Sequence, residues 1–213
     1  LNRGLARRRV DIDSLQMELP RFSLTLNAGT DNILVSTLHD MGISVNAMNL
    51  KARNDTSVTA SALFTGIKSG TTKVDTVSVS MARKGSYLLY NVEMNNAPKN
   101  TPPSTFDQFA HVSAKGYLSG NNLSLLLHQE DIKEDTGLSL GIMAQMADSN
   151  TVALRFVPYH PIIGYKDWEI NRDNIITYNL VSKHLDANLD LHNSESSLKL
   201  FTQHSGNDSV QED

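Results

Sequence analysis

Cysteine is absent from the 213 residues of the chain. This absence excludes disulfide bonds, thiol catalysis and zinc sites that use cysteine thiolates. It leaves the cellular compartment open, because cysteine-free proteins occur both in the cytosol and in envelope compartments.

Long apolar runs and an excess of basic residues are missing too. No stretch reaches the roughly 18 apolar residues that a membrane-spanning helix needs. The net charge of −4 and an isoelectric point of about 6.0 give no electrostatic basis for binding nucleic acid. The one basic cluster, Arg3 with residues 7–9, lacks interleaved aromatic residues, and we interpret it as a solvated terminus.

Aromatic residues are scarce, at 6% of the chain, and many apolar positions hold small side chains. A closed β-sandwich usually fills its centre with bulkier residues. The composition therefore favours a long, curved and incompletely closed sheet. The small residues at alternating apolar positions are Ala28, Ala47, Ala52, Ala114, Ala144 and Ala187.

Apolar and polar residues alternate along most of the chain, which is typical of strands with one apolar and one wet face. Short polar turns separate the alternating runs, for example at residues 119–122, 148–150 and 193–195. The pattern predicts an all-β fold of about ten strands in an antiparallel-rich sheet.

One short helix is predicted over residues 31–41, with Asp31 as its N-cap and Gly42 at its end. The apolar residues predicted to share one side of this helix are Ile33, Leu34, Leu38 and Met41. A second helix over residues 57–67 is disfavoured, because Val58, Thr59 and Thr65 are β-branched.

Two segments interrupt the alternation. Residues 95–105 are rich in proline and form the best candidate for an internal boundary. Residues 156–174 contain the single tryptophan, Trp168, together with Pro158 and Pro161. Rigid prolines beside large aromatic residues predict a fixed, packed corner between two strand runs.

Signals for catalysis or metal binding are weak. None of the seven histidines are spaced i, i+2 or i, i+4, and His184 and His204 are the pair that neighbouring strands would bring together. Residues 66–73 resemble a phosphate-binding loop only faintly, since the lysine has the wrong offset. No calcium-binding loop of alternating aspartates is present. We therefore expect no enzyme, no cofactor and no bound metal.

Three stretches together resemble a known family. They are R-R-R-V-D-I-D-S-L-Q-M-E-L-P at 7–20, L-N-A-G-T-D-N at 26–32, and P-Y-H-P-I-I-G-Y-K-D-W-E-I-N-R-D-N-I-I at 158–176. The chain resembles the TamB-like translocation and assembly module proteins of Bacteroidota, relatives of the AsmA-like envelope family. The resemblance spans most of the chain, and the third stretch is its most specific part.

This resemblance implies a periplasmic protein that is anchored in the inner membrane and reaches the outer membrane. Its sheet would curl into a U-shaped, β-taco-like groove that carries phospholipid acyl chains and serves outer-membrane biogenesis. Other parts of the full-length protein would contact an outer-membrane barrel of the BamA or TamA type. Residues 1–213 would form one internal section of that protein, without catalytic residues.

The groove predicted from the resemblance would be lined by the apolar residues of several alternating runs. The candidates are Val77, Val79, Met81, Leu138, Leu140, Ile142, Ala144, Met146, Val152, Leu154, Phe156, Leu185, Ala187, Leu189 and Leu191. The same residues are equally compatible with the dry core of a sandwich. Two other classes of protein stay open: a structural or adhesive β-module that binds proteins without lipid, and a closed lipocalin-like carrier.

Overall fold

The structure is a computed structural model that describes residues 20–96 and 109–202. Within these residues it contains one helix, α1 (Ile33–Asp40), and a sheet of 15 strand segments. The segments are β1 (Ser23–Gly29), β2 (Ile43–Ser44), β3 (Ala47–Asn54), β4 (Val58–Ser69), β5 (Thr72–Lys84), β6 (Tyr87–Asn95), β7 (Phe109–Ser119), β8 (Asn122–Asp131), β9 (Thr136–Met146), β10 (Thr151–Ile163), β11 (Lys166–Asp167), β12 (Glu169–Ile170), β13 (Ile175–Asn179), β14 (Leu185–His192) and β15 (Ser197–Phe201).

All segments belong to one antiparallel sheet, and from β3 to β10 each strand pairs with the next along the chain. The pieces β2 and β3 both pair with β4, while β11, β12 and β13 follow one another between β10 and β14. The edge strands β1 and β15 do not pair with each other, so the sheet is open. The predicted all-β, curved and unclosed antiparallel sheet is confirmed, and the closed lipocalin-like alternative is wrong.

The predicted turns form tight hairpins. Between β7 and β8, Ser119 pairs with Asn122 across a two-residue loop, and Gly120 has a φ of 54°. Two-residue hairpin loops need such positive φ angles because their twist then matches that of the strands. Between β9 and β10, the Asp148 carboxylate accepts hydrogen bonds from the N–H groups of Asn150 and Thr151 at 2.6 and 2.8 Å.

The short helix forms where it was predicted, but a different residue caps its N-terminus. Asn32 caps α1 in place of Asp31, since its Oδ1 accepts a hydrogen bond from Leu34 N–H at 2.9 Å. The apolar residues predicted to share one side of the helix do not include its buried residue: Ile33 is 79% exposed, whereas Val35 is only 4% exposed. The helix is too short to bury a whole apolar stripe, and it contacts the sheet mainly through Val35 against Ala28 and Met48.

Most of the corner predicted at 156–174 lies inside the sheet. β10 runs on through Pro158 and Pro161, and its register with β9 shifts between Val157 and Ile162. Prolines lack the N–H that a regular ladder uses, and a bulge takes them out of the ladder. The segment is packed as expected, because Pro161 is fully buried and Trp168 Nε1 donates to Ile163 O at 3.0 Å.

Residues 58–67 belong to strand β4, so the helical alternative for residues 57–67 is excluded. Most of the boundary proposed at 95–105 lies outside the described residues. On either side of it, β6 and β7 pair directly, with Asn95 opposite His111. The helix of the described residues is not of a length or apolarity that could cross a membrane.

Candidate functional site: an uncovered apolar face

The strand register collects the apolar residues on one face of the sheet, since residues directly opposite each other in an antiparallel pair share a face. One row contains Ala28, Met48, Phe64, Val77, Met94, Val112, Gln129, Leu138 and Ile163. The next row contains Leu26, Leu50, Ala62, Val79, Val92, Ala114, Leu127 and Leu140. A third contains Leu24, Ala52, Ala60, Met81, Tyr90, Gly116, Leu125, Ile142 and Phe156. We call the side of the sheet that carries these rows the apolar face.

All fifteen residues predicted to line a groove lie on the apolar face. The candidates on β5, β9 and β10 belong to the three rows of the apolar face or continue these rows toward the turn at residues 148–150. Those of β14 join through β13, where Ile176 lies opposite both Leu154 and Ala187. Leu189 and Leu191 follow with the same alternation, opposite Leu200 and Leu198 of β15.

No second layer of the described residues covers the apolar face. α1 packs only over its β1–β3 end, where Val35, Ala28 and Met48 form a small buried cluster. Elsewhere large apolar side chains stay accessible, as shown by exposures of 38% at Val79 and 55% at Leu24. Burial is greater at the β14 end, where Ala187 and Leu189 are buried. Large exposed apolar patches are often interaction sites, so the apolar face is the candidate functional site.

Sequence reasoning missed whole strands of this face. β6 contributes Leu88, Tyr90, Val92 and Met94, and β13 contributes Ile176 and Tyr178. The alternation of apolar and polar residues in β6 is visible in the sequence and would have been enough to predict this strand. β13 was hidden, because its five residues follow directly on the irregular 156–174 segment.

Tyr90 shows how a polar group is accommodated on the apolar face. Its ring crosses β7 at Gly116, and its hydroxyl donates a hydrogen bond to Ser124 O at 2.5 Å. Burial of the ring raises the pKa of Tyr90 above its ordinary value. The hydroxyl is thus satisfied by the sheet itself.

The opposite face is mostly polar, with serine, threonine, asparagine and charged residues, and it also carries scattered apolar residues such as Leu63, Leu89 and Met143. Here the rings of His111 and His128 lie 6.3 Å apart, and His128 Nε2 is 2.9 Å from Glu130 Oε1. Of the expected pair His184 and His204, the second lies outside the described residues. Within residues 20–96 and 109–202, no three histidine or acidic side chains are placed to hold a metal ion.

Comparison of the chain with family models, with curated proteins and with solved structures gave no match. The geometry of the apolar face is therefore the basis on which a function can be proposed.

Proposed function

We propose that the apolar face binds phospholipid acyl chains and that the chain is a non-catalytic section of a TamB-like periplasmic bridge for lipid transport and outer-membrane assembly. The observation that supports this most is the continuous apolar face without a covering layer in the described residues. The family and the periplasmic location rest on the sequence resemblance and belong to the proposal.

The energetic reason is the transfer of hydrocarbon out of water. Each CH₂ group moved from water into apolar surroundings gains about 0.8 kcal/mol. The first row crosses the sheet from β1 to β10 without a break in strand pairing. With neighbouring strands about 4.8 Å apart, it extends roughly 40 Å along the sheet. One leaflet contributes about half of the ~30 Å hydrocarbon core of a bilayer, so the row is longer than a single acyl chain.

A second candidate is the structural or adhesive module, and the open edges of the sheet favour it. Within the described residues, β1 pairs only with β3 and β15 only with β14. Unpaired strand edges can add a strand from another protein. That function would leave the apolar face without lipid.

Retained lipid separates these two candidates. We expect native mass spectrometry of the purified protein to show bound phospholipid, and Ile142→Arg to lose it, because Ile142 lies in the third row. The matched control is Met143→Arg, since Met143 is the next residue and lies on the opposite face.

Lipid in the wild type and in Met143→Arg, but not in a folded Ile142→Arg, supports an acyl-chain surface. A lipid-free wild-type protein that unfolds on Ile142→Arg identifies the face as ordinary core and favours the module.

A further inference from the structure

Gln129 is the polar exception in the first row of the apolar face. It lies on β8 between Val112 and Leu138, and it is only 8% exposed. Its Nε2 atom is buried and has no hydrogen-bond partner among the described residues. A leucine or a methionine would fill this position without leaving a donor unpaired, so the amide costs folding free energy where it lies. An unpaired donor in an apolar row therefore indicates a ligand that accepts its hydrogen bond.

The neighbouring strand leaves room for this amide. β9 has a bulge beside Gln129, in which Gly137 is an extra residue. A Cβ atom on Gly137 would lie 2.2 Å from Gln129 Oε1, which is closer than unbonded atoms can approach, and 2.9 Å from Tyr165 Cζ. The amide therefore lies beside a glycine and beside a ring that is 52% exposed. Exposed side chains change rotamer within nanoseconds and the terminal torsion of glutamine is broad, so both groups can adjust to a ligand.

The surroundings of Gln129 on the apolar face carry no charge. Val112 and Leu138 lie directly opposite it on the two neighbouring strands, and Leu127 is the next residue of β8 on the same face. Tyr90 is the one ionisable residue in the three rows, and its hydroxyl already donates to the backbone.

This neutral environment selects the kind of acceptor. An anionic phosphate group next to apolar side chains would lose its hydration without gaining a counter-charge, which is strongly unfavourable. A neutral carbonyl oxygen needs only a hydrogen-bond donor. Among the parts of a phospholipid, the acceptor that fits beside Gln129 is therefore the carbonyl oxygen of an acyl ester.

We propose that the Gln129 amide donates a hydrogen bond to an acyl ester carbonyl of a bound phospholipid and thereby fixes the position of the lipid on the apolar face. The apolar rows alone would let a hydrocarbon chain slide, because the hydrophobic effect has no direction. A directed hydrogen bond gives the chain a defined starting point, with its first carbons on Val112 or Leu138. This inference rests on the proposed function of the apolar face, and it makes ester-linked phospholipids the preferred class.

Phospholipids that differ only in how their tails are attached test the site. Dihexanoyl phosphatidylcholine carries ester carbonyls, whereas dihexyl glycerophosphocholine has the same head group and ether oxygens, which are weaker acceptors. The affinities of the delipidated protein for both lipids are measured by native mass spectrometry, below the concentrations at which the lipids form micelles. Comparing the ratio of ester to ether affinity between variants removes the difference in hydrophobicity between the two lipids.

Two variants isolate the amide. Gln129→Leu and Gln129→Met remove the donor and keep a side chain of similar size, and each should lower the ratio of ester to ether affinity about fivefold, as for the loss of one hydrogen bond. Both should fold with a urea midpoint no lower than that of the wild type, because no donor is then left unpaired. The control is Gln145→Leu, at an exposed glutamine of β9 on the opposite face, which should leave the ratio unchanged.

The outcomes separate this site from the function on which it rests. An affinity ratio that is the same in the wild type and in both Gln129 variants overturns the ester site and leaves the acyl-chain surface intact. A marked loss of stability in both variants identifies the amide as a structural group and also overturns the ester site. Binding of neither lipid to the wild type overturns both the ester site and the proposed function.

Discussion

At the scale of single residues, buried asparagines replace backbone pairing where strands stop. Asn174 is 2% exposed and precedes β13, next to the gap that separates β12 from β13. Its Oδ1 accepts from Phe156 N–H at 2.7 Å, and its Nδ2 donates to Phe156 O at 3.2 Å and to Asn171 O at 2.9 Å. The side chain thereby completes the ladder of β10, and Asn96 does the same for Asp75 and Phe109.

Removing the Asn174 side chain is expected to destabilise the fold strongly. Asn174→Ala leaves the Phe156 N–H and two carbonyl oxygens without these partners, at about 1–3 kcal/mol for each group that stays buried. We expect the free energy of unfolding to fall by about 2–4 kcal/mol in urea titrations. Asn27→Ala, at an exposed position of β1, is the control and should change stability by less than about 0.5 kcal/mol. A loss of similar size in both variants would contradict the pairing role of Asn174.

At the scale of elements, α1 is the one part of the described fold that covers the apolar face, and it does so through few contacts. Val35 is its buried residue, while Ile33, Leu34 and Met41 remain exposed. A helix of eight residues is marginal in isolation, so its cap and its docking residue decide whether it forms.

The identity of the cap gives a direct test of α1. Asn32→Ala removes the hydrogen bond to Leu34 N–H and should weaken the helix by about 1 kcal/mol. Hydrogen exchange of the amides of α1 should then accelerate about fivefold, since local opening becomes more frequent. Asp31→Ala, which removes the neighbouring carboxylate, should leave these exchange rates unchanged. The reverse result would restore Asp31 as the cap.

Sequence patterns predicted these elements unevenly, for physical reasons. Alternation located most strands and predicted which residues share a face of the sheet, because a period of two is fixed by strand geometry itself. It did not locate the bulge in β9, where Gly137 is an extra residue between the pairs Gln129–Leu138 and Glu130–Thr136, because an extra residue in one strand depends on its partner strand. It did not mark Gln129 as part of an apolar row, since the row appears only when β7, β8 and β9 are placed in register. It did not decide whether Asp31 or Asn32 is the N-cap, because both residue types can cap a helix and the cap depends on where the docked helix begins.

At the scale of the whole molecule, hydrogen bonds and ion pairs favour the ionised form of several surface carboxylates. The pKa of each of these carboxylates lies below its ordinary value, and a hydrogen bond is the largest cause in every case. Lysine side chains donate in two of them, Lys199 to Asp190 and Lys166 to Glu195. In the others the donors are the Asn188 side chain to Asp173, the Thr56 N–H to Asp55 and the Asn150 N–H to Asp148. Four of these groups are exposed and Asp190 is partly buried, and ion pairs and hydrogen bonds this close to solvent contribute modestly to stability.

The pH dependence of unfolding follows from these lowered pKa values. Groups with a lower pKa in the folded state stabilise it above their unfolded pKa of about 4, and this contribution disappears as the pH falls through the folded pKa. The urea midpoint should therefore change little between about pH 7 and 5 and then decrease below about pH 4. Asp190→Asn should reduce that decrease, because the Lys199 pair loses its carboxylate. A midpoint that rises on acidification would rule out this account.

The meandering order of the strands has a consequence for how such a molecule can change in length. From β5 to β9 each strand pairs only with the strand before it and the strand after it, as in a one-dimensional array with nearest-neighbour coupling. Inserting or deleting one complete hairpin preserves both strand direction and the side on which apolar residues project. No central core has to be rebuilt. The width of the apolar face across the strands then depends on the number of hairpins. It can therefore be lengthened or shortened in steps of one hairpin.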